Sequence, residues 1–155
     1  MNAPATRAAV EIKTVEFKLD QQTIHAYEGE SILNAAKRHG VDIPHLCYKD
    51  GMRADGNCRA CVVEIKGERT LAPSCCRSAT AGMEVQANSE RAVKSQKMVL
   101  EMLLSDMPDT GYKWNEADAS SQHGELSDWA VRMDVQVRPE PVSYTHLTLP
   151  TNREV

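Results

Sequence analysis

The chain has 155 residues, 41% of them hydrophobic, with one Phe, two Trp and four Tyr, which allows one small-cored domain plus a tail. A net charge of -4 without a Lys/Arg run argues against nucleic acid, and no apolar stretch reaches membrane-spanning length. The opening Met1–Arg7 lacks the apolar core of a secretory signal, so the expected compartment is the cytoplasm, where thiols stay reduced.

Residues 1–9 carry no structural pattern and are expected to be disordered. Val15–Leu19 alternates apolar and polar, and Thr23–Tyr27 follows the turn-prone Asp20, so the two runs predict a hairpin. A helix follows. Ser31 suits its N-cap, with Glu28 and Glu30 near the positive end of its dipole. Lys37, Arg38 and His39 fill the last turn, and Gly40 ends it. Ile32, Ala35 and Ala36 form the apolar face. Val41–Cys47 reads as extended, because Pro44 disfavours helix at the residue before it. Cys61–Lys66 then reads as a strand, Gly67-Glu68 as a turn, Arg69–Ala72 as the return and Met83–Gln86 as a last short strand. Ser89–Met107 is helical again, with Val93, Leu100, Leu103, Leu104 and Met107 on one face and Pro108 beyond its end. Strands, a helix and more strands make an α+β unit. After Pro108 the chain is polar and poorly periodic, and it reads as an irregular tail.

All five cysteines lie between Cys47 and Cys76. An odd number leaves one thiol over from any disulfide framework. Cys47, Cys58, Cys61 and Cys75 are separated by ten, two and thirteen residues. Four thiolates suit zinc or an iron–sulfur cluster, but zinc modules usually present two close pairs. Here one close pair, Cys58 and Cys61, is flanked by a single cysteine on each side, which is the layout of ferredoxin-type [2Fe-2S] binding. Gly51 and Gly56 would let backbone amides approach the cluster's sulfides, and Arg53 and Arg59 would either offset its negative charge or lie on ordinary surface. Cys76 reads as a small half-buried thiol beside a ligand. His45 has no second Cys-x-His pair to make a Rieske site and reads as a hydrogen-bond donor, while His25, His39 and His123 read as surface.

Asp55–Ile65, with Ala72-Pro73-Ser74-Cys75 and Gly82-Met83, resembles the N-terminal β-grasp [2Fe-2S] domain of complex-I-type large subunits. The nearest resemblance is to the alpha subunit of NAD-dependent formate dehydrogenases, over about Val10 to Pro139. It implies a β-grasp ferredoxin-like domain at residues 10–88, a helix at 89–107 and a linker at 108–141. It also maps the fourth ligand onto Cys75. In complex I and hydrogenase relatives the second helix is followed by a His-Cys-Cys-Cys motif. No cysteine follows Cys76 here, which favours the formate dehydrogenase branch. The family's subunit is much longer, so the chain reads as a fragment, and Val142–Val155 reads as a non-native tail.

The resemblance implies one-electron transfer between a molybdenum domain and a flavin/NAD subunit, with no bond-making chemistry on this chain. Two other readings stay open: a zinc-stapled interaction module, and an autonomous [2Fe-2S] ferredoxin or complex-I/hydrogenase-type electron carrier. Trp114 and Trp129 would anchor the tail region to a partner domain, and the methionines of the second helix would lie in the core or at a subunit contact.

Overall fold

The computed structural model describes residues 13–105 and 124–135. The chain forms two compact units, the first ending at Gln96 and the second beginning at Lys97. His123, Trp114, residues 1–9 and the tail at 142–155 lie outside the described residues.

The hairpin forms where the alternation predicts it. Strand β1 (Thr14–Leu19) pairs antiparallel with β2 (Gln22–Tyr27), and Phe17 lies opposite Ile24. Their inward residues Phe17, Leu19, Ile24 and Ala26 are buried while the intervening ones are not, as period-two patterning requires. Asp20 turns the chain in the left-handed region (φ 53), which aspartate tolerates better than most residues. Its carboxylate also accepts hydrogen bonds from the amides of Ala87 (2.9 Å) and Asn88 (3.2 Å), fixing the hairpin tip to a segment 67 residues away.

Helix α1 (Ile32–Arg38) starts at Ser31, whose hydroxyl accepts the Asn34 amide at 3.2 Å. Ile32, Leu33, Ala35 and Ala36 are buried, one residue more than the spacing predicts. At its end His39 is the cap and Gly40 takes the left-handed conformation (φ 75). Glu30 folds back to accept the Tyr27 amide (2.8 Å) and the Arg38 guanidinium (2.7 Å). Burial alone would raise the Glu30 carboxyl, but these bonds outweigh it and hold it below the ordinary value of 4.5.

The remaining strands are short. Strand β3 (Val62–Ile65) pairs antiparallel with β4, which is only Ala72–Pro73, because Pro73 has no amide hydrogen with which to extend the ladder. Strand β5 (Glu84–Gln86) runs antiparallel to β3 and parallel to β1. The sheet order is β2-β1-β5-β3-β4, so the first and last strands meet at the centre. With α1 connecting the two hairpin-like halves, this is the expected α+β, β-grasp ferredoxin-like fold. The core gathers Phe17, Leu19, Ile24, Ile32, Leu33, Ile43, Val63 and Val85.

Helix α2 (Glu90–Ser105) begins one residue after the expected Ser89, whose hydroxyl accepts the Ala92 amide at 3.1 Å. The sequence pattern places only apolar residues on its inner stripe, yet Gln96 is 2% exposed. Its amide donates to the carbonyls of Val62 (2.8 Å) and, more weakly, Ala87 (3.4 Å). In the second unit, Leu100 and Leu104 are buried, whereas Met98 and Met102 are exposed rather than core. A third helix, α3 (Glu125–Arg132), occupies part of the region read as irregular. Arg132 lies 5.0 Å from the centre of the Trp129 ring.

Candidate metal centre

The segment Val41–Cys61 contains no regular secondary structure and carries three of the cysteines. It is held at its start by α1. Asn34 donates to the Tyr48 hydroxyl at 2.9 Å, and Lys37 reaches Asp50 at 2.6 Å. Tyr48 is buried, so the residue beside Cys47 is fixed although Cys47 itself is exposed. His45 binds the Ile43 carbonyl through Nδ1 at 2.8 Å, the donor role the sequence suggests. His25 and His39 are surface residues, with His39 Nε2 placed 3.1 Å from the His25 carbonyl.

Helix α1 also holds the opposite side. The first helical amides lack partners within the helix. Here Ile32 donates to the Arg77 carbonyl (2.9 Å) and Leu33 to the Ser74 carbonyl (3.0 Å), so the helix start grips the turn that bears Cys75 and Cys76. Ser74 then binds the Cys61 carbonyl twice, through its amide (3.0 Å) and its hydroxyl (2.7 Å). One short helix therefore positions both ends of the cysteine constellation.

Within this frame the thiols come as neighbours. The Cys58 thiol lies beside Cys47, and the Cys75 thiol lies beside both Cys61 and Cys76. Burial would raise the Cys58 thiol, but amides of Cys47, Ala60 and Leu46 and the Cys47 thiol all point at its sulfur and bring it below the ordinary thiol range. The Ala60 amide is aimed there by Arg59, which sits in the left-handed conformation (φ 60), an arrangement costing a non-glycine residue about 1–2 kcal/mol. Cys75 behaves in the opposite way. Burial first, then hydrogen bonds and charge repulsion shared with Cys61 and Cys76, pushes its thiol well above the usual value. Thiolates brought this close are stabilised by a cation among them, which a metal centre supplies.

Among the described residues, no three His, Cys, Asp or Glu side chains gather around a single ion. Two thiol pairs suit a binuclear cluster, because each of its irons takes two protein ligands. The soft S4 donor set fits the group.

Gly56 shows how tightly the loop is folded. It is buried at φ +64, and a Cβ placed there would lie 2.9 Å from the Cys76 sulfur and 3.7 Å from Pro73. The close neighbour of Gly56 in the structure is the Cys76 sulfur. Gly51 shares the positive φ (+83) and has nothing within 4 Å of such a Cβ. Arg53 is almost fully exposed, 3.9 Å from Asp55, and Arg59 is exposed. Sequence reasoning points to the cysteines but gives Ser74 no role, since it has no periodic signature and stands out only by its complete burial.

Cys75 and Cys76 would point to opposite faces if they lay on a strand. Strand β4 ends at Pro73, and residues 74–76 form a turn closed by the Cys76 amide on the Pro73 carbonyl (3.1 Å). Their sulfurs lie 3.6 Å apart, with Cys75 buried and Cys76 exposed.

Residues 12–90 match the family of 2Fe-2S iron-sulfur cluster binding domains. The chain belongs to that family. Its cofactor is a [2Fe-2S] cluster, which takes up and releases single electrons. The 2Fe-2S domain is 45% identical over 95 residues to the NADP-reducing hydrogenase subunit HndD of Solidesulfovibrio fructosivorans, covering 58% of this chain and 16% of that protein. It is 39% identical over 94 residues to the mitochondrial NADH-ubiquinone oxidoreductase 78 kDa subunit of Candida albicans, covering 61% of this chain and 13% of that one. A crystal structure of an NAD+-reducing [NiFe]-hydrogenase in the H2-reduced state superposes with a TM-score of 0.67 at 30% identity, over 81% of this chain and 51% of that one. The chain thus spans less than a fifth of the length of these two curated relatives.

Proposed function

We propose that Cys47 and Cys58 bind one iron of the [2Fe-2S] cluster and Cys61 and Cys75 the other, in a cluster domain at residues 10–88 that relays single electrons within a larger redox assembly. The observation that carries this is the frame that brings the cysteine segments together: Asn34 holds Tyr48 beside Cys47, and Ser74, just before Cys75, is bonded through its amide and its hydroxyl to the Cys61 carbonyl. The protein's own work is to hold four sulfurs, direct amides at Cys58 and bury Cys61 and Cys75 while leaving Cys47 at the surface, where an electron has a short path out. Serine substitution of each proposed ligand tests the assignment: every single variant should lose iron, and Cys76→Ser should keep it.

The assembly is best read as a complex-I or hydrogenase type, since the relatives named above are subunits of such enzymes. Partners would be a flavin/NAD subunit and further redox domains, in the cytoplasm. Among the described residues no helix is long and apolar enough to cross a membrane. The narrower reading, an NAD-linked formate dehydrogenase alpha subunit with a molybdenum domain, rests on the lack of any cysteine after Cys76. Metal analysis of the complex purified through this chain from its native cells separates the two: molybdenum supports the formate dehydrogenase, and a complex without molybdenum supports the complex-I or hydrogenase type.

A further inference from the structure

We infer that the Ser74 hydroxyl selects which of two adjacent cysteines enters the cluster, holding Cys75 in and Cys76 out. The inference rests on the proposed ligation and concerns a residue to which no role attaches there. Chemistry alone does not choose between these thiols. They are next to each other in sequence, their sulfurs are 3.6 Å apart, and they occupy a turn rather than a strand that would force them to opposite faces. Position must choose.

Ser74 is 0% exposed, and each of its polar groups is fixed. Its carbonyl receives the Leu33 amide (3.0 Å), and its amide and hydroxyl both donate to the Cys61 carbonyl (3.0 and 2.7 Å). The backbone just before Cys75 is thereby locked to the backbone of Cys61, the buried cysteine proposed to share its iron. The backbone bonds to Cys61, Leu33 and Ile32 fix the path of the turn but leave it small rotations about Cys75. The hydroxyl bond, the shortest of those at Ser74, adds the side-chain restraint that keeps Cys75 rather than Cys76 turned toward Cys61. Removing it leaves the Cys61 carbonyl still paired with the Ser74 amide, so no buried group is orphaned and the domain should still fold.

The test compares reduced EPR spectra of the cluster-loaded chain in four forms. Wild type and Cys76→Ser should each give the same single rhombic signal. Ser74→Ala should give two overlapping signals, one from each ligand choice, and the double variant S74A/C76S should collapse to one. A Ser74→Ala spectrum identical to wild type overturns the inference. So does a second signal that survives in S74A/C76S, because it would not involve Cys76. Should Ser74→Ala hold no iron, Ser74→Thr decides. A single wild-type signal from Thr supports the hydroxyl's role, and two signals or no iron refutes it. The underlying ligation fails separately, if Cys75→Ser alone retains the wild-type signal.

Discussion

Replacing Gly56 with alanine adds one methyl group at a point where the fold already closes on itself. Two costs arise. The backbone sits at φ +64, which costs an L-residue about 1–2 kcal/mol. The new Cβ would also lie 2.9 Å from the Cys76 sulfur, an overpacking that costs about 1–3 kcal/mol. Together they predict a loss of about 2–5 kcal/mol, and a fall in the unfolding midpoint on the order of 10–40 °C for a domain this small. Gly51→Ala provides the control, since it shares the positive φ with open space around it, and should lose only about 1–2 kcal/mol. Adding Cys76→Ala to Gly56→Ala should restore the packing part and leave the backbone part. Thermal unfolding of the cluster-loaded chains by far-UV circular dichroism measures all four. Equal losses at Gly51 and Gly56, or no recovery on removing the Cys76 sulfur, would refute the packing of the loop against the Cys76 turn.

Gln96→Ala should cost about 1–3 kcal/mol by leaving the Val62 carbonyl without its side-chain donor, and urea unfolding should show a lower midpoint. Asp20→Ala loses the acceptor for two amides and also strains φ 53, whereas Asp20→Gly loses only the acceptor; the alanine variant should therefore be the less stable by about 1 kcal/mol in the same assay. Glu30 has a folded-state pKa below its unfolded 4.5, so its contribution is present above that pH and is lost as pH falls through the folded value. Glu30→Gln should thus be less stable than wild type near pH 7 by about 1–2 kcal/mol, with the gap closing as pH falls below 4.5 and through the lowered folded-state value in parallel thermal scans.

Much of the first unit is legible because its signals are local. The Phe17/Leu19 and Ile24/Ala26 alternation, the Ser31 cap and Gly40 each act within a few residues, and the hairpin and α1 follow from them. The cysteine spacing points to the cofactor class for a different reason: soft ligands at that interval suit few groups. What stays hidden depends on contacts far apart in the chain. The Ser74–Cys61 bonds span 13 residues, the Gln96–Val62 bond 34 and the Asp20–Ala87 bond 67, and no periodicity announces them. The returning strand reads as Arg69–Ala72 from the sequence, whereas the ladder holds only Ala72 and Pro73 and the chain then turns at residues 74–76. Helix α3 escapes pattern reading because its polar composition leaves only Ala130 buried.

The central claim is that four specific thiolates carry a binuclear cluster, and iron and sulfide counting joined to EPR tests it directly. The anaerobically reconstituted chain should hold two irons and two acid-labile sulfides, stay EPR-silent when oxidised and give a rhombic signal when reduced. That signal should vanish in each of Cys47→Ser, Cys58→Ser, Cys61→Ser and Cys75→Ser and persist in Cys76→Ser. A colourless protein with stoichiometric zinc, or a cluster that survives Cys75→Ser and is lost in Cys76→Ser, would contradict it.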